Sequence, residues 1–220
     1  MFKNFPTDKD KNYMAKQKSP RIVTPKGIAV YPWLNKPDTK FSPDGDYKVT
    51  LKVPAEDAAP LIEQLDKILQ EYKAEAVKKD PKIARMAINA PYEEEADDQG
   101  NLTGNYLFKF KQKAVINMKD GRTVDVKVAL LDASRTPTDV LVGGGSEIKI
   151  AATVYPYAMN TTKTIGLSLR PYAVQILQLV KVGGGAAADV FEDEDGFIDD
   201  HSATQVASAS VAEEANAADF

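Results

Sequence analysis

The stretch Asn105-Tyr106-Leu107-Phe108-Lys109-Phe110-Lys111-Gln112-Lys113 decides the fold class. In an extended chain Tyr106, Phe108 and Phe110 share one face, and Leu107, Lys109, Lys111 and Lys113 share the other. The same alternation occurs earlier, where Tyr47, Val49, Leu51 and Val53 interleave with Lys48, Thr50 and Lys52. Both stretches read as half-buried strands with lysines on the outer face. Between them Leu61, Ile62, Leu65, Ile68, Leu69 and Tyr72 recur at helical spacing. They predict one amphipathic helix, with Asp57 as N-cap, Pro60 in the first turn and Pro81 at its end.

Working outward, Lys26 to Trp33 reads as a first strand, stopped by Pro32 or by the turn signal Asn35-Lys36-Pro37-Asp38. Residues 89–104 read as an acidic loop. Asp120-Gly121 signals a hairpin, with Val124, Val126, Val128 and Leu130 alternating in one returning strand. A turn-rich stretch, Asp132 to Ser146, follows. Three more strands are expected over Ile148 to Tyr155, Thr164 to Leu169 and Tyr172 to Val182. Strands and helices do not alternate, so a doubly wound parallel sheet is not the expected reading. The expected architecture is mainly β: a small antiparallel barrel with one inserted amphipathic helix.

The chain has 220 residues, a globular composition and a formal net charge of −4. It lacks cysteine, and His201 is its one histidine. Disulfides, thiolate metal sites, a cysteine nucleophile and a histidine-based triad are thereby excluded. No apolar run approaches the roughly 18 residues of a membrane span. The N-terminus is polar and lysine-rich, unlike a secretory signal, so the default address is the cytoplasm.

The net charge conceals a division. Residues 1–182 carry all 28 Lys and Arg, and residues 183–220 carry ten acids and no Lys or Arg. The boundary is Gly183-Gly184-Gly185-Ala186-Ala187-Ala188, the composition of a flexible hinge. Three regions are expected: a basic arm over 1–20, a folded body over 21–182 and a disordered acidic tail over 183–220. Asp193, Glu194 and Asp195 sit near Phe191 and Phe197 in that tail, which closes in Asp219-Phe220. Isolated aromatics among acids suit docking into a basic groove.

Motifs for catalysis are missing. Gly143-Gly144-Gly145-Ser146 lacks the lysine and spacing of a phosphate-binding loop and reads as a flexible loop. Asp193-Glu194-Asp195-Gly196 fails as a calcium loop, because positions one and twelve would be Phe191 and Ser202. No metal, cofactor or catalytic residue is predicted. What remains is cations interleaved with aromatics on strands. Cationic grooves follow the phosphates of single-stranded nucleic acid, and aromatic faces stack its bases. Tyr31, Trp33, Tyr155, Tyr157 and Tyr172 are the stacking candidates. Lys48, Lys52, Lys109, Lys111, Lys113 and Arg170 are the phosphate candidates. Each aromatic is equally readable as a packing residue, and each lysine as a solvated strand face. A tethered polyanion would compete for such a groove at an effective concentration of about millimolar.

With these features assembled, the sequence resembles the T7-like phage single-stranded DNA-binding proteins. The basic arm, the inserted helix, the stretch Ile165-Gly166-Leu167-Ser168-Leu169-Arg170-Pro171-Tyr172-Ala173-Val174-Gln175 and above all the acidic tail ending in Phe220 carry the resemblance. It implies an OB-fold that coats single-stranded DNA without sequence preference in phage replication and recombination, and that promotes annealing. It implies a tail that recruits the DNA polymerase and primase–helicase through Phe220 and the neighbouring acids. Family members often dimerise, so a homodimer is also an expectation. Two rival classes stand beside this reading: a non-enzymatic adaptor whose barrel binds protein, and a metal-dependent nuclease using body carboxylates.

Overall fold

Residues 19–118 and 120–181 are described by a computed structural model. The expected tail over 183–220 lies outside the described residues, as do residues 1–18 of the expected arm. The two alternating stretches are the antiparallel strands β3 (Asp46–Pro54) and β6 (Leu102–Lys113). Val49 faces Phe110 and Leu51 faces Phe108 across this pair, and all four are buried. Burying each such side chain contributes about 2 kcal/mol. Period two then sends Lys48, Lys52, Lys109 and Lys111 outward.

On the other side of β3 lies β2 (Gly27–Asp38), which runs through Pro32 instead of stopping there. Val30 pairs with Thr50 but Trp33 pairs with Lys48, so β2 carries one extra residue at this point, and a further register shift follows between Trp33 and Asp38. This bulge needs no ladder N–H from Pro32, which is why the strand survives it. Tyr31 occupies the bulge with a φ of 48°.

The strands β10 (Glu147–Met159) and β11 (Thr164–Gln178) form a long antiparallel hairpin. The expected break at Arg170-Pro171 does not occur. Ala152 pairs with Pro171 and Ala151 with Ala173, which leaves Tyr172 as the extra residue. A second bulge therefore absorbs the second proline.

The circuit closes through two short contacts. Glu147 and Ile148 of β10 pair with Ile28 and Gly27 of β2, and Leu169 of β11 pairs with Phe110 of β6. The order β2-β3-β6-β11-β10 returns to β2, an OB-like barrel. The β6–β11 contact is parallel, so the barrel is not wholly antiparallel as expected.

The helix α1 (Ala55–Lys79) is inserted between the second and third barrel strands. It begins earlier than expected, and Asp57 is not its cap. Pro54 holds that position without a side-chain hydrogen bond. Glu56 and Asp57 instead lie in the first turn, where their charge complements the helix dipole. Pro60 consequently sits deeper in the helix than expected. Ala58, Leu61, Leu65, Leu69 and Ala76 form the buried stripe and join the barrel core. Among the described residues no helix is long and apolar enough to cross a membrane.

Residues 89–104 are not a loop. They contain the end of β4 (Ala87–Asn89) and all of β5 (Tyr92–Ala96), which pairs with β6. The acidic run Glu93-Glu94-Glu95 is tolerated in a strand because cations of neighbouring strands compensate it. Glu93 meets Lys109 at 2.8 Å and Glu95 meets Lys52 at 3.3 Å. The Tyr92 hydroxyl donates to Asp66 on α1 at 2.7 Å, tying β5 to the helix. Burial, then that carboxylate, pushes the hydroxyl well above its usual range.

Three smaller corrections follow. Arg21 to Val23 form β1, which pairs with β10. The Asp120-Gly121 hairpin exists, joining β7 (Val115–Asn117) and β8 (Thr123–Asp125), but the returning strand is divided. Its second part, β9 (Ala129–Leu131), pairs with β11, and Val124 is exposed. Finally, Gly143 to Ser146 is a packed turn. The buried Ser146 hydroxyl donates to the Gly143 carbonyl at 2.8 Å and accepts the Val180 N–H at 2.9 Å.

Two outcomes follow. Tyr92→Phe removes the Asp66 bond and lowers unfolding free energy by about 1 kcal/mol; an unchanged denaturation midpoint would contradict the tie. Glu95 is held below its usual 4.5, chiefly by hydrogen bonds from Thr103 and Asn105 and then by Lys52. The stability it contributes is present above 4.5 and is lost as pH falls through the lower folded value. In thermal melts the gap between wild type and Glu95→Gln therefore closes in acid; a gap constant with pH would refute this.

Candidate nucleic-acid interface

The strand registers place one row of outward side chains across the barrel. Trp33 of β2 pairs with Lys48 of β3, and Lys48 pairs with Lys111 of β6. Leu169 is the parallel partner of Phe110, so Arg170 follows beside Lys111. Arg170 then pairs with Thr153 of β10, and Thr153 with Arg21 of β1. The result is a belt of one aromatic and four cations, with Thr153 between the two arginines.

Tyrosines flank the belt. The Arg170 guanidinium lies 4.0 Å from the centre of the Tyr155 ring, and that of Arg21 lies 5.2 Å from the centre of Tyr172. Each pair is a preassembled cation–π stack. Tyr31, at the first bulge, is 83% exposed, while Trp33, Tyr155 and Tyr172 are 44%, 37% and 40% exposed. These four candidates face solvent and are not core packing. Both bulges carry one of these tyrosines at the extra position, where a strand re-aims a side chain. Tyr31 does so at a backbone angle unfavourable to any residue with a Cβ.

Tyr157 behaves differently. It is half-buried, and its hydroxyl accepts a hydrogen bond from the Asn89 amide. With Lys109, Lys111 and Ser168 it lines a groove of about 280 Å³ between β6 and β11. The groove continues the belt.

Most of the predicted lysines have carboxylate partners. Lys48 pairs with Asp38, Lys111 with Asp46 at 3.0 Å, Lys52 with Glu95 and Lys109 with Glu93. The hydrogen bond from Lys48 and then the Lys40 N–H hold the Asp38 carboxyl below its usual range. One oxygen of Asp46 is buried with no partner among the described residues. The exposed Lys109–Glu93 pair contributes only about 0–1 kcal/mol, so its carboxylate is replaceable at small cost; Asp38 and Asp46 are buried, so their lysines are held more firmly. Arg21, Arg170 and Lys113 have no ion pair among the described residues.

Sequence reasoning missed Arg21, Thr153 and Asn89. Arg21-Ile22-Val23 is too short to show a period, and its two adjacent apolar residues hide the alternation that the structure imposes. Thr153 and Asn89 carried no signal, since only the register places them. Asp193, Glu194, Asp195, Asp219 and Phe220 lie outside the described residues.

Residues 26–179 match the family model described as the single-stranded DNA-binding protein of bacteriophage T7. The single-stranded DNA-binding protein of Escherichia phage T7 is 30% identical over 169 residues, covering 71% of this chain and 72% of the relative. That of Enterobacteria phage T3 is 28% identical over 182 residues, covering 74% and 78%. The crystal structure of the T7 protein aligns with a TM-score of 0.64 at 27% identity, covering 83% of this chain and 100% of the other. Sequence and fold agree: this chain belongs to the family of the phage T7 single-stranded DNA-binding protein.

Proposed function

We propose that the chain binds single-stranded DNA along the belt, without sequence preference. The continuity of one side-chain row across six strands supports this reading above all. Phosphates run over Lys48, Lys111, Arg170 and Arg21, exchanging the carboxylate partners of the lysines. Lys109 and Lys52 exchange theirs in the same way, and Lys113 extends the cationic edge. Bases stack on Trp33, Tyr155 and Tyr172, with Tyr31 reaching out from its bulge and Tyr157 lining the groove. Every base has a stackable face, so this arrangement reads no sequence. The T7 and T3 relatives are single-stranded DNA-binding proteins, which supports the same ligand here.

The charge division gives the tail its part. Ten acids beyond Gly183 compete with DNA for the belt, and bound DNA releases the tail. Asp193 to Asp195, Asp219 and Phe220 then recruit a replicative DNA polymerase and a primase–helicase. DNA binding and recruitment favour each other by linkage, because each removes the tail from the belt. The chain acts in phage replication and recombination in the host cytoplasm, as a binding protein and not an enzyme. A homodimer belongs to this reading through the family resemblance alone.

Fluorescence anisotropy of a labelled oligonucleotide tests the assignment. The single strand binds more tightly than duplex, and affinity falls steeply with salt because bound counterions are released. Arg170→Ala with Tyr155→Ala weakens binding about tenfold or more, as expected for losing one stack and one phosphate contact. A truncation to residues 1–188 binds more tightly than the full chain. Unaltered affinity in the double variant would remove the belt, and unaltered affinity on truncation would remove the competing tail.

A further inference from the structure

A second cationic cavity lies beyond the groove. It encloses about 740 Å³ and is lined by Lys82, Arg85 and Lys163, together with Asp80, Met86 and Asn160. Two pieces of chain build it. One is the short 3₁₀ turn Pro81–Arg85 that follows α1; the Asp80 carboxylate caps it by accepting the Lys82 N–H at 3.0 Å. The other is the tip of the β10–β11 hairpin. The Ala87 N–H donates to the Lys163 carbonyl at 2.9 Å and locks the two together, and buried Met86 anchors the junction.

Three observations point to a ligand with phosphates. First, Lys82, Arg85 and Lys163 have no carboxylate at ion-pair distance among the described residues, whereas Lys48, Lys52, Lys109 and Lys111 all do. The one acid of the cavity, Asp80, spends a carboxylate oxygen on the Lys82 N–H. Secondly, Lys163 holds a φ of 52° at the hairpin tip, where glycine would be unstrained. Among the described residues only Tyr31, Arg135 and Lys163 show positive φ without being glycine. Strain of this kind persists where the surrounding structure holds it, and it clusters at functional sites. Thirdly, β4 runs from the cavity to the groove. β4 pairs in parallel with β11 from Ala87 opposite Thr164 to Asn89 opposite Gly166. Met86 lines the cavity and Asn89 lines the groove, three residues or about 10 Å apart along one strand.

We propose that this cavity holds the phosphates of flanking nucleotides, so that a long single strand continues from the belt along β4 into the Lys82, Arg85 and Lys163 pocket. The proposal rests on the belt binding single-stranded DNA. It makes affinity depend on length: a short strand fills the belt alone, and a longer one reaches the cavity. The span fits the range of about 4–16 nucleotides that one OB barrel accommodates.

The test titrates the full chain with labelled oligothymidylates of about 4 to 16 nucleotides. The variant is Arg85→Gln with Lys163→Gly, where glycine keeps the backbone angle. It binds the shortest strand like wild type and binds the longest several-fold more weakly. For the longest strand, the slope of log affinity against log salt falls by about 0.7 per lost cation. A control variant, Lys67→Gln with Lys73→Gln on α1, leaves the length dependence intact. Equal loss at every length, or no loss at any, overturns the cavity while leaving the belt standing. Failure of wild type to bind any length overturns the belt, and the cavity with it.

Discussion

Phe110 and Leu169 meet across the parallel seam that joins β6 to β11, and the exterior of the barrel depends on that meeting. Both side chains are buried. With them fixed inward, period two fixes Lys111 and Arg170 outward and side by side. A slip of one residue would turn Phe110 to solvent and Lys111 into the core, a cost of several kcal/mol. The core therefore specifies the cation row without any contact between the cations themselves. The two bulges act on the same frame. Each admits a proline, and each leaves one tyrosine as the surplus residue, aimed outward.

The electrostatics of the face follow a principle of exchange. A bare row of lysines would repel itself and raise the cost of folding. Here Asp38, Asp46, Glu93 and Glu95 neutralise four of them in the absence of ligand. Residues 53–98 carry twelve acids against six Lys and Arg, and two of those acids, Glu93 and Glu95, are laid by β5 onto the lysines of β3 and β6. On the proposed belt a phosphate would compete with these carboxylates, at small cost for the exposed Glu93 and at greater cost for the buried Asp38 and Asp46. In that proposal the favourable balance comes from released counterions and from stacking. The arginines do different work. Their guanidinium groups lie over the Tyr155 and Tyr172 rings, so each cation and ring is held together by the fold itself.

The sequence was most legible where one face of an element is buried. Tyr47 to Val53, Tyr106 to Phe110 and the stripe from Leu61 to Leu69 were read from periodicity alone, because burial imposes that periodicity. It was least legible where partners lie far apart in the chain. β5 looked like an acidic loop because the lysines that compensate it belong to other strands. Pro32 and Pro171 looked like strand ends because a bulge is a property of a pair, not of one strand. The helix start was misplaced because Asp57 looks like a cap, yet it serves the dipole from within the first turn. For the site, composition indicated aromatics and cations, but not which cations are paired. Arg21, Asn89 and the Lys82, Arg85 and Lys163 pocket emerge only when the registers bring separate segments together.

Trp33 is the one tryptophan of the chain, and it stands at the edge of the belt. Its fluorescence is therefore a direct reporter of base stacking at the proposed interface. The measurement is a titration of the full chain with oligothymidylate, following Trp33 emission and its accessibility to iodide, with anisotropy recorded on the same samples. The belt predicts saturable quenching that tracks binding, protection from iodide, and reversal of both by salt. Binding seen by anisotropy with Trp33 emission and iodide accessibility unchanged would place the DNA elsewhere and contradict the account.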